Sequence, residues 1–329
     1  MTIGYRSREY AESWREWGRP LELPRAQGFL LRRAIPGTDR SDACGCYPLF
    51  DCQDWQRLAA DIDDLSAAGE LASVTAVTLP LDPEQVVWLQ NAFPDLARPF
   101  KTHYMVERPA GAERTANRHH RYYARRAMRS VEVHAVQQPR ELMGEWQQLY
   151  AQLIERHRLR GMQAFSATAF QYQLAAPGMV AFRATAQCRT VAIQLWYHAG
   201  DVAYSHLMAS SEEGYALNAA YALYWTGIDY FTDRVAWIDL GGAAGLRDVT
   251  EDPDTGDNSN RGQLEPVRSD LAAGPSGLAF FKRGWSNATR STFLCGRVLN
   301  RAIYSQLFAA RPAPGSDYFP AYRHGEFGG

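Results

Sequence analysis

The chain has 329 residues, enough for two ordinary domains or one large one. Its 46% hydrophobic and 22% charged residues are the balance of a folded globular protein, which sets aside disordered and fibrous classes. A formal net charge of −1 provides no global field toward nucleic acid or an acidic membrane, and no apolar run approaches the roughly 20 residues of a membrane span.

In chain order, residues 1–27 are polar and contain tryptophan, and read as a loose lead-in or a short helix. They carry acids and do not resemble a secretory signal. With five cysteines (Cys44, Cys46, Cys52, Cys188, Cys295), an odd number, this implies reduced thiols and a cytoplasmic setting. Cys44, Cys46 and Cys52 lie close together, but their spacing fits no common zinc pattern, and no metal is expected. Residues 28–33 read as a strand and 37–51 as a loop. Residues 54–65 read as a helix, 72–79 as a strand, 82–93 as a proline-started helix and 100–106 as a strand. This alternation predicts a first α/β module over 28–129.

Residues 116–129 (ANRHHRYYARRAMR) are helical in character and concentrate positive charge on an otherwise neutral chain. Arg118, Arg121, Arg125, Arg126 and Arg129, interleaved with tyrosine and histidine, fit a phosphate-contacting surface for RNA. They fit equally a solvated helix whose arginines pair with nearby acids. Strand 130–136, helix 139–157 and a Ser166-capped helix over 166–174 follow, then three strands over 179–185, 190–198 and 202–209 joined by short links. These form an antiparallel meander opening a second module over 130–309.

Residues 202–240 are the centre of that module. A strand ends in the polar turn Ser210-Ser211-Glu212-Glu213-Gly214. A helix over 215–231 follows, with apolar positions at Leu217, Ala220, Tyr221, Tyr224, Trp225 and Ile228, and a strand ends at Gly241-Gly242. Strand–helix–strand predicts a βαβ unit, which gathers ligands at the carboxyl ends of its strands and places an anionic group near Ser210–Gly214. Neither GxGxxG nor GxxxxGK[ST] is present, so this is no nucleotide fingerprint. Alternation places Tyr204, His206 and Met208 on one strand face. Tyr204 and His206 are then a candidate acid and base, or a core hydrogen-bonded pair. Asp239 sits in the apolar strand IDLGG and requires a partner. Lysine occurs only at Lys101 and Lys282, all other cations being arginine. Lys282 is therefore a candidate for an oxyanion or phosphate donor, or for an ion pair with Asp239. GxSxG is absent, which favours direct transfer over a covalent enzyme stage. Residues 247–273 are acidic and rich in Asp, Asn and Gly, and read as a mobile insertion, either a lid or an inert loop. A strand over 291–298, a helix over 300–308 and a flexible tail over 310–329 end the chain.

The pattern YSHLMASSEEGY…NAAYALYW…WIDLGG…GLAFFKRGW resembles the Fem-type branch of the GNAT acyltransferase superfamily, which includes aminoacyl-tRNA-dependent peptidyltransferases. The match runs from Ala127 to about Phe308, and its most specific piece is Phe281-Lys282 with Gly284-Trp285. The resemblance implies two GNAT-like modules, each a mixed sheet flanked by helices, and an acyl or aminoacyl group moved to an amine. The acceptor would be a small molecule or peptide. The donor, aminoacyl-tRNA or acyl-CoA, would be a co-substrate, with no tightly bound cofactor. It also implies that Lys282 lies near the donor phosphate or the acceptor and that the Ser210–Gly214 turn replaces the usual pyrophosphate-binding loop. Joined to the reading of the residues, this gives His206, Tyr204, Asp239 and Lys282 as the expected catalytic centre and Ser210, Ser211, Gly214, Phe281 and Arg283 as the expected donor site, with tRNA a possible partner. The acyl-CoA signature [RQ]xxGx[GA] is replaced by Ser210-Ser211-Glu212-Glu213-Gly214-Tyr215, whose glutamates oppose a pyrophosphate. A catalytically degenerate ligand- or partner-binding module is the alternative.

Overall fold

The computed structural model describes residues 3–242, 274–312 and 317–326. The insertion expected at 247–273 lies outside the described residues. Eleven strands form one mixed sheet in the order β1-β2-β3-β4-β11-β5-β10-β9-β8-β7-β6. In chain order they are β1 Arg19–Leu23, β2 Gly28–Ala34, β3 Ser41–Gly45, β4 Leu71–Val77, β5 Leu96–Glu107, β6 Glu132–Val136, β7 Met179–Ala186, β8 Arg189–Ala199, β9 Val202–Ser210, β10 Trp237–Gly242 and β11 Ala288–Val298. The α/β class with a mixed sheet flanked by helices is as expected. The division at residue 129 is not a division of the sheet: β11 lies in the range given to the second module yet pairs with β4 (Gly296 opposite Thr75) and β5 (Ser291 opposite Thr102). Strand β3 falls in the stretch read as a loop.

Helices cover both faces. Helices α1 (Arg8–Glu12), α2 (Leu58–Ala68), α3 (Pro83–Ala92), α4 (Ala112–Thr115) and α5 (Arg118–Ala127) belong to the first part of the chain. Helices α6 (Met143–His157), α7 (Ala167–Gln173), α8 (Glu212–Ala216), α9 (Ala219–Phe231), α10 (Gly274–Arg283) and α11 (Arg301–Ala310) follow. Elements α1, α6 and α7 bury their apolar sides on one face, where Trp14, Trp146, Phe170 and Tyr197 share a core with Leu31 and Leu79 of the first half. On the other face α4, α5, α9 and α10 close over β8, β9 and β10 through Ala124, Leu223, Phe281, Trp196 and Ile238. Asn218, left-handed at φ 57°, breaks the helix expected over 215–231 into α8 and α9.

Residues 1–27 contain the short helix α1, one of the two forms expected for them, and the described residues near both chain ends are tied into the fold rather than loose. Tyr10 and Trp14 are fully buried in the core shared by both halves. Near the other end Arg323 is buried against Asp42, with Nε 2.6 Å from Oδ2, and Tyr322 donates to the same oxygen at 2.8 Å. A buried guanidinium must have a carboxylate beside it, and the tail supplies one half of such a pair.

Candidate functional site

Strands β9 and β10 run parallel but pair only over Val202–Tyr204 and Trp237–Asp239. Beyond that point β9 stays on β8 and β10 stays on β5, so the pair opens at its carboxyl ends. Each strand carries an extra residue there. The register of β9 against β8 jumps from Ser205 to Leu207, which leaves His206 as the bulge. The register of β10 against β5 shifts between Asp239 and Gly242, with Gly241 at φ +80°. A bulge resets the alternation of side chains. Tyr204 and His206 do share a face, as alternation predicts. Met208 does not join them: it packs with the α9 core, and Leu207 turns to the face of Tyr204.

The β10 bulge gathers three functional side chains. Asp239 is 2% exposed. Both its carboxylate oxygens lie 2.9 Å from His103 Nδ1 on β5, and its Oδ1 accepts the Gly241 N–H at 2.7 Å. Lys282 reaches from α10, on the opposite face, and its Nζ donates to the Gly242 carbonyl at 2.7 Å. Both glycines are required by this convergence. A Cβ on Gly241 would stand 2.8 Å from Lys282 Nζ, and one on Gly242 would stand 3.0 Å from the His103 ring. Burial pushes the Lys282 ammonium down to about 8; Asp239 draws it back up and Lys101 presses it further down. The only two lysines of the chain thus face each other's charge. His103 was not singled out in the sequence. Its signal is the two-residue spacing Lys101, His103, Met105, which puts all three on one face of β5.

The FKRGW motif explains how Lys282 is held. Phe281 and Trp285 are fully buried among Tyr221 and Tyr224 of α9. Phe281 is therefore a packing residue and has no surface for a donor, in contrast to the role expected for it. Gly284 lies flat against the His120 ring, which a Cβ would meet at 1.9 Å. His120 Nε2 lies 2.8 Å from the Phe281 carbonyl, one residue before the lysine. The inner face of α5 is thus a brace for α10. On its outer face, Arg121 and Arg125 pair with Glu113; Arg118 and Arg126, and Arg129 in the turn after the helix, are exposed and have no carboxylate partner among the described residues. Arg283 is exposed as well.

His206 is not placed to be a base. Its Nδ1 faces the Tyr5 hydroxyl at 3.1 Å and its Nε2 faces Gln173 Oε1 at 3.2 Å. Tyr5, Tyr10, Tyr197 and Phe165 enclose the ring. Burial pushes its pKa down to about 3, so it stays neutral and fully engaged. Tyr204 packs on Tyr5 at 5.6 Å between ring centroids, and burial holds its phenol well above the ordinary range.

The Ser210–Gly214 turn is the start of α8 and satisfies its own groups. Ser211 Oγ accepts the Gly214 N–H at 3.1 Å and donates to the Val191 carbonyl at 3.1 Å. Gly214 is there because a Cβ would meet that carbonyl at 2.3 Å. Glu213 pairs with Arg189 at 2.9 Å. Ser210 Oγ is buried without a partner among the described residues. A cap that serves its own helix, with acids in the first turn, is a poor cradle for the anionic group expected there.

A cavity of about 1180 Å3 opens on the Asp239 face of the sheet. Lys101, Phe100, Tyr47, Arg158, Arg160 and Arg323 are in its lining, and Lys101 carries it toward Lys282. The described residues contain no helix long and apolar enough to cross a membrane.

No family model and no curated protein matches the sequence. Solved structures do match in fold. FemX superposes with a TM-score of 0.63 at 12% identity, over 92% of this chain and 93% of that one. The C-terminal domain of a putative lysylphosphatidylglycerol synthetase from Agrobacterium fabrum gives 0.56 at 16%, over 92% and 90%. The L-PGS from Bacillus licheniformis gives 0.55 at 16%, over 94% and 98%. These superpositions show that the chain has the fold of FemX and of the lysylphosphatidylglycerol synthetases.

Proposed function

We propose that the chain transfers an acyl or aminoacyl group directly to an amine at the Asp239–His103–Lys282 cluster. One observation carries this reading: an orienting carboxylate, an imidazole and an ammonium, from three separate elements, meet at a backbone bulge where two parallel strands part. Asp239 accepts from His103 Nδ1–H, which fixes the tautomer whose Nε2 lone pair is available as a base. Nε2 has no hydrogen-bond partner among the described residues. His103 takes a proton from the attacking amine as the N–C bond forms, and the carbonyl electron pair moves onto oxygen. Lys282 has two N–H groups beyond the one given to Gly242, and donates to that oxyanion. Collapse breaks the bond to the leaving oxygen or sulfur, which takes the proton back from His103.

The donor we favour is aminoacyl-tRNA. Arg118 and Arg126 on the helix that braces Lys282, and Arg129 just past its end, are exposed with no carboxylate partner among the described residues, and the acidic start of α8 disfavours a pyrophosphate at the usual acyl-CoA position. The amine acceptor, a small molecule or peptide, would enter through the Lys101-lined cavity. FemX and the lysylphosphatidylglycerol synthetases, by their names and fold, agree with a transferase. The test offers the purified protein charged tRNA and, separately, a panel of acyl-CoA thioesters, with candidate amines. Activity that is abolished by RNase and falls steeply with salt supports tRNA. Activity with thioesters alone replaces the donor. Folded Lys282→Met and His103→Gln variants that turn over like the parent would remove the site.

A further inference from the structure

We propose that a second, smaller cavity binds the zwitterionic head of a free amino acid. It holds about 210 Å3 and lies beside the paired starts of β9 and β10. Three polar groups in its lining are short of partners. Tyr204 is 9% exposed, and its hydroxyl makes no hydrogen bond among the described residues. Arg6 Nε is buried and has no partner. Asp51 is 4% exposed; it accepts the Cys52 backbone N–H and meets Arg6 only at 3.6 Å, beyond hydrogen-bond length, which leaves carboxylate lone pairs unused. Buried polar groups in folded proteins are normally satisfied, so three incomplete ones around one space describe a site shaped for something else. Burial also pushes the Asp51 carboxyl up to about 7, with Arg6 only partly opposing it, and an arriving ammonium would relieve that cost.

The charges choose the ligand. A simple anion would suit Arg6 but face Asp51, and a simple cation would suit Asp51 but face Arg6. The other ionic groups in the lining, Arg290 and Asp82, neutralise each other at 2.6 Å. A molecule carrying both signs a few ångströms apart suits all of them: ammonium on Asp51, carboxylate on Arg6, and the Tyr204 phenol donating to that carboxylate. Leu79, Leu81, Met105 and Trp237 leave an apolar wall for a small aliphatic side chain.

The test needs no donor and is independent of acyl transfer. Full-length protein is titrated calorimetrically and by thermal shift with L-alanine, L-valine, L-leucine and L-methionine up to 10 mM. At least one is expected to bind saturably and raise Tm. Its amide and its N-acetyl derivative, each lacking one charge, should bind at least about tenfold more weakly. Asp51→Asn should abolish binding, and Tyr204→Phe should weaken it severalfold. Should Asp51→Asn fail to fold, Tyr204→Phe and the analogue comparison on the parent protein decide. The proposal is overturned if none of the four binds, if the amide or N-acetyl form binds as well as the free amino acid, or if a folded Asp51→Asn variant retains affinity.

Discussion

His206 and His103 lie on the same side of the same sheet, each beside a strand irregularity and each with a polar partner. Their chemistry is opposite. His206 is partnered by a phenol and an amide inside a ring of aromatics, and burial leaves it neutral with both nitrogens in use. His103 has a buried carboxylate on one nitrogen and leaves the other unengaged among the described residues. An imidazole becomes a base through the charge of its second partner, not through its position on a strand. The same contrast separates the two candidate anion sites: the α8 start uses up its own donors, while Lys282 keeps N–H groups in reserve.

The comparison breaks most readily at His103. His103→Gln keeps a donor for Asp239 and loses the base, so the transfer rate should fall by about 10²–10⁴ while the melting curve barely moves. His206→Phe should leave that rate within about twofold, and a reversal of the two outcomes returns the base to β9. Lys282→Met should cost about 10²–10³ in turnover, read in single-turnover assays. Because the Lys282 ammonium titrates near 8, turnover of the parent should decline as pH rises through about 8, and Lys282→Met should lose that limb. Gly284→Ala drives a methyl group into His120, and about 1–3 kcal/mol of stability should be lost in urea unfolding. A further effect on stability concerns acid. The folded pKa of His206, about 3, lies below the ordinary 6.5, so between those values the unfolded chain takes up a proton that the folded one refuses. Stability should therefore drop as pH falls below 6.5, by up to about 1.4 kcal/mol per unit, and His206→Phe should flatten that slope.

Much of the fold was legible. The parallel β9–β10 unit, the β7–β9 meander and the Ser166 cap follow from spacing and cap chemistry, which are local. Asp239 and Lys282 were legible as well, because a carboxylate in an apolar strand and a lysine in an arginine-rich chain are each anomalies of composition. What was hidden is non-local. His103 is ordinary until β5 is laid beside β10, and the bulge that turns Met208 away comes from pairing with β8. The basic α5 segment was read by its charge alone. Its buried histidine, which grips the residue preceding Lys282, becomes visible only when residues 161 positions apart touch. The buried N-terminal aromatics were masked by the polar residues between them, and Arg323 gave no sign of Asp42.

Strand β11 has a consequence for how the molecule is made. It occupies the slot between β4 and β5, yet it is translated last of the described strands, about 180 residues after β5 is complete. Until the ribosome has passed Val298, β4 and β5 each present an open edge to the cell, and open edges invite foreign strands. A truncation ahead of Ala288 would leave the centre of the sheet unzipped, a lesion far more severe than the loss of an edge strand.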